Sequence, residues 1–549
     1  MKKCRFVAII LCVVLLLAIA SCKTDSSTQS PNSSASGDQT PSGSQGSSGN
    51  QSPGGSQNTN ENAPSSGSSV SGRNTLTIGT SGDTGTLDPV GMSGSFLSLS
   101  NTYMDPILTH DGNMNVVWVL ATGIDEVTPT QWTIHVREGV TFSNGNPLTA
   151  DDILFSFILA RDTPQRALNV QSLDLDNSSV VDPYTLDIRL TDYNVAQMTM
   201  LSAVMIVDAE SYDPVDFSLN PVGTGPYEVT EYVVNSHTHM KARDGYWGER
   251  PTIENLVFKV INEDAQKVNA IETGTVDWIS VPAQDVEYVK SLPNFNLVSN
   301  RTGMAIQVLF SVDPTSAFFD VEARYAACHA IDRQAIINLV YNGYASIVDY
   351  PASMATLDYE PRLANLHETY SIGHDIELAK QYAVSSGLVD KEVRIMTNGG
   401  PEYVTMAEII QTNLKDIGVK AVILNYDQAT LRSLYRSDGT EFDICLYFVS
   451  APTWLASDIV WANVRFSTIL MAGNWPGFER FTELGGQVLS NPDAKARSDI
   501  FFEMIKIFDN AALWYGVCET QSFIAYSKDL NDVVFNAFGG VRFQDLSFS

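Results

Sequence analysis

From Lys23 to Gly72 the chain carries mostly Ser, Gly, Gln, Asn, Thr and Pro, and no aromatic residue. A stretch so poor in apolar side chains cannot bury enough surface to offset the entropy of ordering it. It is expected to be a flexible tether, and about 50 residues of this composition have a root-mean-square reach of about 40 Å. Whatever folds must therefore lie beyond it, from about Asn74 to Ser549. That length suffices for two or three lobes with substantial cores.

The residues before the tether have the opposite character. Met1 to Arg5 is basic, Phe6 to Ala20 is apolar and uncharged, and the run ends Ile19-Ala20-Ser21-Cys22. A basic start, an apolar middle and small residues before a break mark a secretion signal. The apolar run is shorter than the ~20 residues a spanning helix needs, which counts against an uncleaved membrane helix. Residues 19–22 resemble the bacterial lipobox, whose cysteine is diacylated on sulfur and becomes residue one after cleavage. That resemblance implies a signal peptide at 1–21, lipidation at Cys22 and a tether over 22–73. Two or three acyl chains anchor a protein stably to a membrane where a single chain does not.

The hydrophobic fraction of 44% is that of a soluble globular protein. No later segment has 18 consecutive apolar residues. The net charge of -30 argues against nucleic acid, which needs a basic stripe, and suits solubility outside the cell. Beyond Cys22 the cysteines are Cys328, Cys445 and Cys518, an odd number far apart in sequence. Neither a disulfide framework nor a zinc site is indicated, and all three read as buried fillers.

Hydrophobic alternation predicts strands at 75–79, 131–136, 184–190 and 256–261, with a hairpin of arms 228–234 and 237–242 joined at Asn235-Ser236. Thr149 and Asp152 have capping-box spacing for a helix over 153–160. A helix over 263–272 and a strand over 276–279 complete a βαβ unit with parallel pairing. Further on, the 3.6-residue period predicts one long helix over 321–341 and helices over 376–386, 403–417 and 497–513. Strands are expected at 393–396, 419–424, 442–448 and 523–526.

Catalytic patterns are missing from the sequence. It contains no GxSxG elbow, no HExxH and no Gly-Lys dipeptide for a phosphate-cradling loop. Gly223-Thr224-Gly225 opens like a dinucleotide fingerprint, but Glu228 stands at the third glycine and Pro226 favours a turn. Asp151 and Asp152 could pair for acid–base work, yet a helix start explains them better. His237 and His239 share one face of a strand and could hold a metal, but no third ligand is near in sequence, so an exposed hairpin is the favoured reading and no metal or cofactor is expected. Asp358 and Glu360 carry no specific signal.

The motifs nevertheless form a series. Thr86 to Pro89 reads TLDP. Trp132 to Ile153 reads as a strand, an Arg-Glu-Gly-Val turn, an Asn-Gly-Asn-Pro turn and an Ala-Asp-Asp-Ile helix start. Gly223-Thr-Gly-Pro-Tyr227 and Tyr246-Trp247 bracket the hairpin. Ala270 to Asp277, Phe319 to Arg324 and Ala330-Ile-Asp-Arg333 follow. In this order the chain resembles the family 5 extracellular solute-binding proteins of ABC importers, over nearly all of 74–549. The resemblance implies an α/β, two-lobed periplasmic-binding-protein fold with an additional subdomain and a hinge between the lobes. The first lobe is expected to hold 74–110, 208–308 and 515–549, its inserted subdomain 111–207, and the second lobe 309–514.

By the same resemblance the ligand lies between the lobes, and a main contact segment follows the strand that starts at Phe442-Asp443. In peptide-binding members that segment carries a Trp and, three residues on, an Asp that pairs with the peptide's amino group. Here those positions hold Val449 and Pro452, so the amino anchor is missing unless Asp458 replaces it. Tyr447, Ser450, Trp454, Asp458 and Trp461 are the expected contact residues, with Asn398 and Gly399 presenting backbone groups at a helix start. Trp475 is a third flat face that could equally be core packing. The expected function is capture of a solute, an oligopeptide first and an oligosaccharide or other polar solute second, and its delivery to an ABC permease. The protein is expected to be a lipid-anchored monomer outside the cytoplasm, with no catalytic activity. A surface receptor with the same fold is the other reading.

Overall fold

The computed structural model describes residues 72–549 apart from 93–96, 350–351, 354–355, 357, 359, 364–371, 450–454 and 536–539. Cys22 and the whole of 1–71 lie outside the described residues, as do Ser450 and Trp454. No helix among the described residues is long and apolar enough to cross a membrane.

One large sheet of eleven strands organises the molecule. Ten strands follow one path in the order Lys420–Asn425, Glu392–Thr397, Ile444–Val449, Phe295–Phe310, Trp514–Ser527, Trp278–Val281, Thr75–Thr80, Asn255–Val260, His237–Ala242 and Tyr227–Val233. Ala345–Ile347 pairs separately with Trp514–Ser527. The two longest strands, Phe295–Phe310 and Trp514–Ser527, run antiparallel at the middle of this order. Their register breaks between Arg301 and Ala305, where Gly303 takes φ +66°, a conformation glycine adopts at no steric cost. Each long strand therefore serves both halves of the sheet.

The expected βαβ unit forms with a change. Asn255–Val260 and Trp278–Val281 do not pair with each other. Thr75–Thr80 lies between them, parallel to both. A second, four-stranded antiparallel sheet runs Ala121–Thr128, Gln131–Val136, Thr185–Leu190, Leu173–Asp182. Strand Gln131–Val136 alternates buried and half-buried residues, as its sequence predicted. Its inner face joins the helix Ala150–Arg161 in a core that includes Trp132, Phe142 and Phe157.

Asp152 explains the start of that helix. Its carboxylate accepts from the Thr149 backbone N–H at 2.8 Å and from the Ala209 N–H at 2.9 Å. Asp152 is buried while Asp151 is exposed, so the two carboxylates do not form an acid–base pair.

The long helix expected over 321–341 is two helices, Val321–Ala330 and Arg333–Val340. Ile331 is extended, and the Asp332 side chain accepts from the Ala335 N–H at 2.9 Å, starting the second helix. A side-chain cap thus overrides a continuous apolar period. Arg324, fully buried, donates to the carbonyls of Phe318, Phe319 and Ala511. Burial lowers its pKa to about 10. Arg333 donates to the carbonyls of Val348 and Gly516 and to Asp349. These two arginines of the motif series tie helices to the crossing strand Trp514–Ser527 or the residues just before it.

Gly223 and Gly225 allow another close approach. A Cβ on Gly223 would lie 2.0 Å from the Tyr103 carbonyl oxygen, and one on Gly225 2.4 Å from the Tyr103 carbonyl carbon. The turn is a backbone junction and no nucleotide loop. Beside it, Asp105 accepts from Thr224 Oγ1 at 3.1 Å and from Trp247 Nε1 at 3.2 Å. Burial raises its carboxyl to about 6, against the pull of those two donors. Cys328, Cys445 and Cys518 are free and buried.

Candidate functional site

Strand Ile444–Val449 packs beside the crossing strand, with Val449 opposite Ala305 and Tyr447 opposite Gln307. Ala305, Leu309, Cys445, Tyr447 and Val449 contribute to one core, so they mark one face of the sheet. Tyr447 is buried there, stacked on Tyr435 with ring centroids 4.9 Å apart. Tyr435 in turn donates from its hydroxyl to Asn463 Oδ1 at 3.1 Å. Tyr447 therefore joins the strand to the helix Gln428–Tyr435 and, through Tyr435, to the helix Ala456–Arg465.

Gln307 sits opposite Tyr447 on the same face. It is fully buried, and neither its Oε1 nor its Nε2 has a hydrogen-bond partner among the described residues. Leaving a buried polar group unpaired costs about 1–3 kcal/mol, so this amide calls for a partner beyond the described residues. Sequence reasoning missed it. The signal was available as a lone polar residue inside the apolar run Met304 to Phe310.

The helix Ala456–Arg465 resumes directly after the undescribed residues 450–454 and carries Asp458 and Trp461. Its first turn is capped from a distance. Asp358 accepts from the backbone N–H groups of Ala456 and Ser457 and from the Ser457 hydroxyl. Burial pushes the Asp358 carboxyl up, opposed by those donors. Glu360 is also committed: it pairs with Arg362 at 2.7 Å and accepts from the Ser498 hydroxyl.

Asp458 is buried in the first helical turn, where a carboxylate is favoured by the helix dipole. Arg465 is its electrostatic counterpart. Burial lowers the Arg465 pKa and the Asp458 charge raises it. Arg465 Nη2 also donates to Gln171 Oε1 at 3.1 Å. The same neighbourhood receives Val195, whose N–H donates to the Leu489 carbonyl at 3.1 Å, and Ala196 and Met200, which enter the Tyr447 core. Residues from 171–200 thus reach across to helices beyond residue 455.

Trp461 is half-buried and wedged against Phe481 and Gly485; a Cβ on Gly485 would come within 2.3 Å of its ring. Trp475 is core. It packs edge-on against Phe478, Phe481 and Phe508, and its Nε1 donates to the Leu470 carbonyl at 2.8 Å.

Asn398 and Gly399 form the turn between Glu392–Thr397 and the helix Pro401–Asp416. Gly399 takes φ +73°. Its N–H donates to Thr397 Oγ1, the Gly400 N–H donates to Asn398 Oδ1, and Asn398 Nδ2 donates to Gln428 Oε1. The turn satisfies its own backbone donors. Next to it, a depression of 540 Å³ is lined by Gln428, Ala429, Arg432, Ser433 and Arg436. All five lie on or just beyond one helix, so among the described residues the depression has a single wall.

The fold has counterparts elsewhere. The family model described as bacterial extracellular solute-binding proteins, family 5 Middle, matches residues 115–465. A putative ABC transporter peptide-binding protein of Brucella ovis is 25% identical over 385 residues, covering 67% of this chain and 71% of its own. The crystal structure of NikA from Brucella suis in complex with Fe(III)-EDTA superposes with a TM-score of 0.77 at 20% identity, covering 86% of this chain and 100% of its own. The oligopeptide-binding protein AppA of Bacillus subtilis, solved with a nonapeptide, gives a TM-score of 0.72 at 18% identity, over 86% and 99%. These likenesses show the two-lobed α/β fold built on the large sheet.

Proposed function

Because this chain belongs to the bacterial extracellular solute-binding proteins, family 5, and so serves an ABC importer outside the cytoplasm, we propose that its solute is an oligopeptide. The lobes 74–110 with 208–308 and 515–549, and 309–514, close over it, with 111–207 as the inserted subdomain. Cys22 carries the lipid anchor and the protein works as a monomer, without chemistry on the solute. Supporting the peptide reading are the name of the Brucella ovis relative and the nonapeptide held by AppA.

One observation carries the placement of the ligand. The amide of Gln307, without a hydrogen-bond partner among the described residues, and the ring of Tyr447 lie side by side on the crossing and neighbouring strands. The chain then passes through 450–454 into the capped helix that bears Asp458 and Trp461. Tyr447, Ser450, Trp454, Asp458 and Trp461 are assigned as the contact wall, with Asn398 and Gly399 at its margin. Asp458 is the anchor for a peptide amino group. The specific observation that favours an uncharged polar solute instead, such as an oligosaccharide, is Arg465, which already offsets the Asp458 charge.

A thermal-shift screen of the protein against di- to pentapeptides, oligosaccharides and metal complexes separates these readings. A ligand at about 100 times its Kd adds about 2.7 kcal/mol of stability. Peptides should raise Tm, and Asp458→Asn should cut that rise. If Asp458→Asn leaves affinity for every positively charged ligand unchanged, Asp458 is no anchor.

A further inference from the structure

The outermost hairpin of the large sheet gathers three metal-type ligands. His237 and His239 lie two residues apart on His237–Ala242, which puts both on one face, while Thr238, Met240 and Ala242 are buried on the other. The neighbouring strand, Tyr227–Val233, supplies Glu231 directly opposite His239. It does so through a break in register between Val229 and Glu231. Without that extra residue Thr230 would face His239 and no carboxylate would be present.

The three side chains converge. Glu231 Oε2 lies 3.5 Å from His237 Nε2 and 3.5 Å from His239 Nδ1. One ligand atom from each residue falls within 4.8 Å of the others. Ligands at about 2.0–2.2 Å from a tetrahedral zinc ion stand about 3.4 Å apart, so both Glu–His separations already match a coordination edge. A small rotation of the imidazoles, whose centroids are 4.5 Å apart, brings the two nitrogens in as well.

The other ring nitrogen of His237 has a partner too. Ser236 Oγ lies 2.9 Å from His237 Nδ1. With Nδ1–H donating to that oxygen, the Nε2 lone pair is directed at Glu231. Nε2 is buried and has no hydrogen-bond partner among the described residues. An outer hydrogen bond of this kind orients imidazole ligands and raises their basicity. Lys259, paired with His237 on the inner strand, is the opposing charge, and its long stem lets the ammonium turn into solvent.

We propose that Glu231, His237 and His239 form a binding site for a borderline divalent transition cation, zinc or nickel, distinct from the solute site. Two imidazoles and one carboxylate suit these ions, whereas calcium and magnesium prefer all-oxygen shells. A bound ion clips the edge strand Tyr227–Val233 to its neighbour and keeps a fourth position for water. The hairpin ends the sheet order at the side away from Ile444–Val449, so the ion is no part of the captured cargo.

Calorimetric titration of the chelator-treated full-length chain with zinc chloride and nickel chloride tests this. One site per chain is expected in the micromolar range. Glu231→Gln and the double change His237→Asn with His239→Asn should each weaken it at least tenfold, and Ser236→Ala should weaken it less. The rise in Tm with di- to pentapeptides should stay the same in all of them, which separates this site from the proposed function. Unchanged metal affinity in the double variant overturns the proposal. So does a wild-type Kd above about 1 mM, or loss of metal binding in Asp458→Asn with the hairpin intact.

Discussion

Replacing Asp358 by Ala should loosen the helix that carries Asp458 and Trp461. The carboxylate receives three donors: the N–H groups of Ala456 and Ser457 and the Ser457 hydroxyl. Loss of an N-terminal cap costs about 1–2 kcal/mol, and donors stranded in a buried site add about 1–3 kcal/mol. The sum is about 2–5 kcal/mol. Unfolding about 475 residues carries an entropy on the order of 1 kcal/mol/K, so Tm should fall by about 2–5 °C if the chain melts as one unit. Differential scanning calorimetry measures it. Asp358→Asn keeps one acceptor oxygen and should recover part of the loss. Ser457→Ala should cost about 1 kcal/mol alone and less than that in the Asp358→Ala background, because the two share one interaction. A Tm for Asp358→Ala within about 0.5 °C of wild type would show that the helix start does not depend on this carboxylate, and the reasoning would fail.

Three further outcomes are expected. Gly225→Ala places a methyl 2.4 Å from the Tyr103 backbone, which cannot retreat as a side chain can, and should cost at least about 1–3 kcal/mol by chemical denaturation; Gly123→Ala, with open space around it, should be near neutral. Gln307→Leu removes a buried amide that has no partner among the described residues, so stability should hold or rise by about 1 kcal/mol while solute affinity falls; a loss of stability without a change in affinity would count against its role. Asp105 has a folded-state pKa of about 6, raised above its value of 3.8. Its contribution is therefore full at low pH and is lost as pH rises through about 6, up to about 3 kcal/mol. Asp105→Asn should flatten the pH dependence of Tm between pH 4 and 7, and an unaltered slope would refute this.

How much of this was legible depends on whether the information was local. Strand Gln131–Val136, the hairpin turn at Asn235 and the cap at Thr149 and Asp152 all follow from neighbouring residues, and they appear where the sequence puts them. The long strand Phe295–Phe310 was not visible as a strand, and only the end of Trp514–Ser527 was. Both are covered on two faces over much of their length, so they lack polar alternation. The break at Ile331 was hidden by a continuous apolar period and shows only through the side chain of Asp332. At the candidate site the same division holds. Trp475 and Trp461 are indistinguishable as residues, and packing alone separates the buried one from the half-buried one. The role of Asp358 depends on partners 98 and 99 residues away. Glu231 meets the two histidines only through a bulge that no linear spacing announces.

The position of Trp514–Ser527 has a consequence for how the protein is made. This strand stands between Phe295–Phe310 and Trp278–Val281, in the interior of the sheet. During synthesis it is among the last parts to appear, more than 230 residues after its neighbour Trp278–Val281. Until then that neighbour presents an unpaired row of backbone groups, and pairings this distant in sequence are slow to form. The early strands therefore wait for the late one. A chain cut before Trp514 exposes two sticky edges at once instead of losing a dispensable tail.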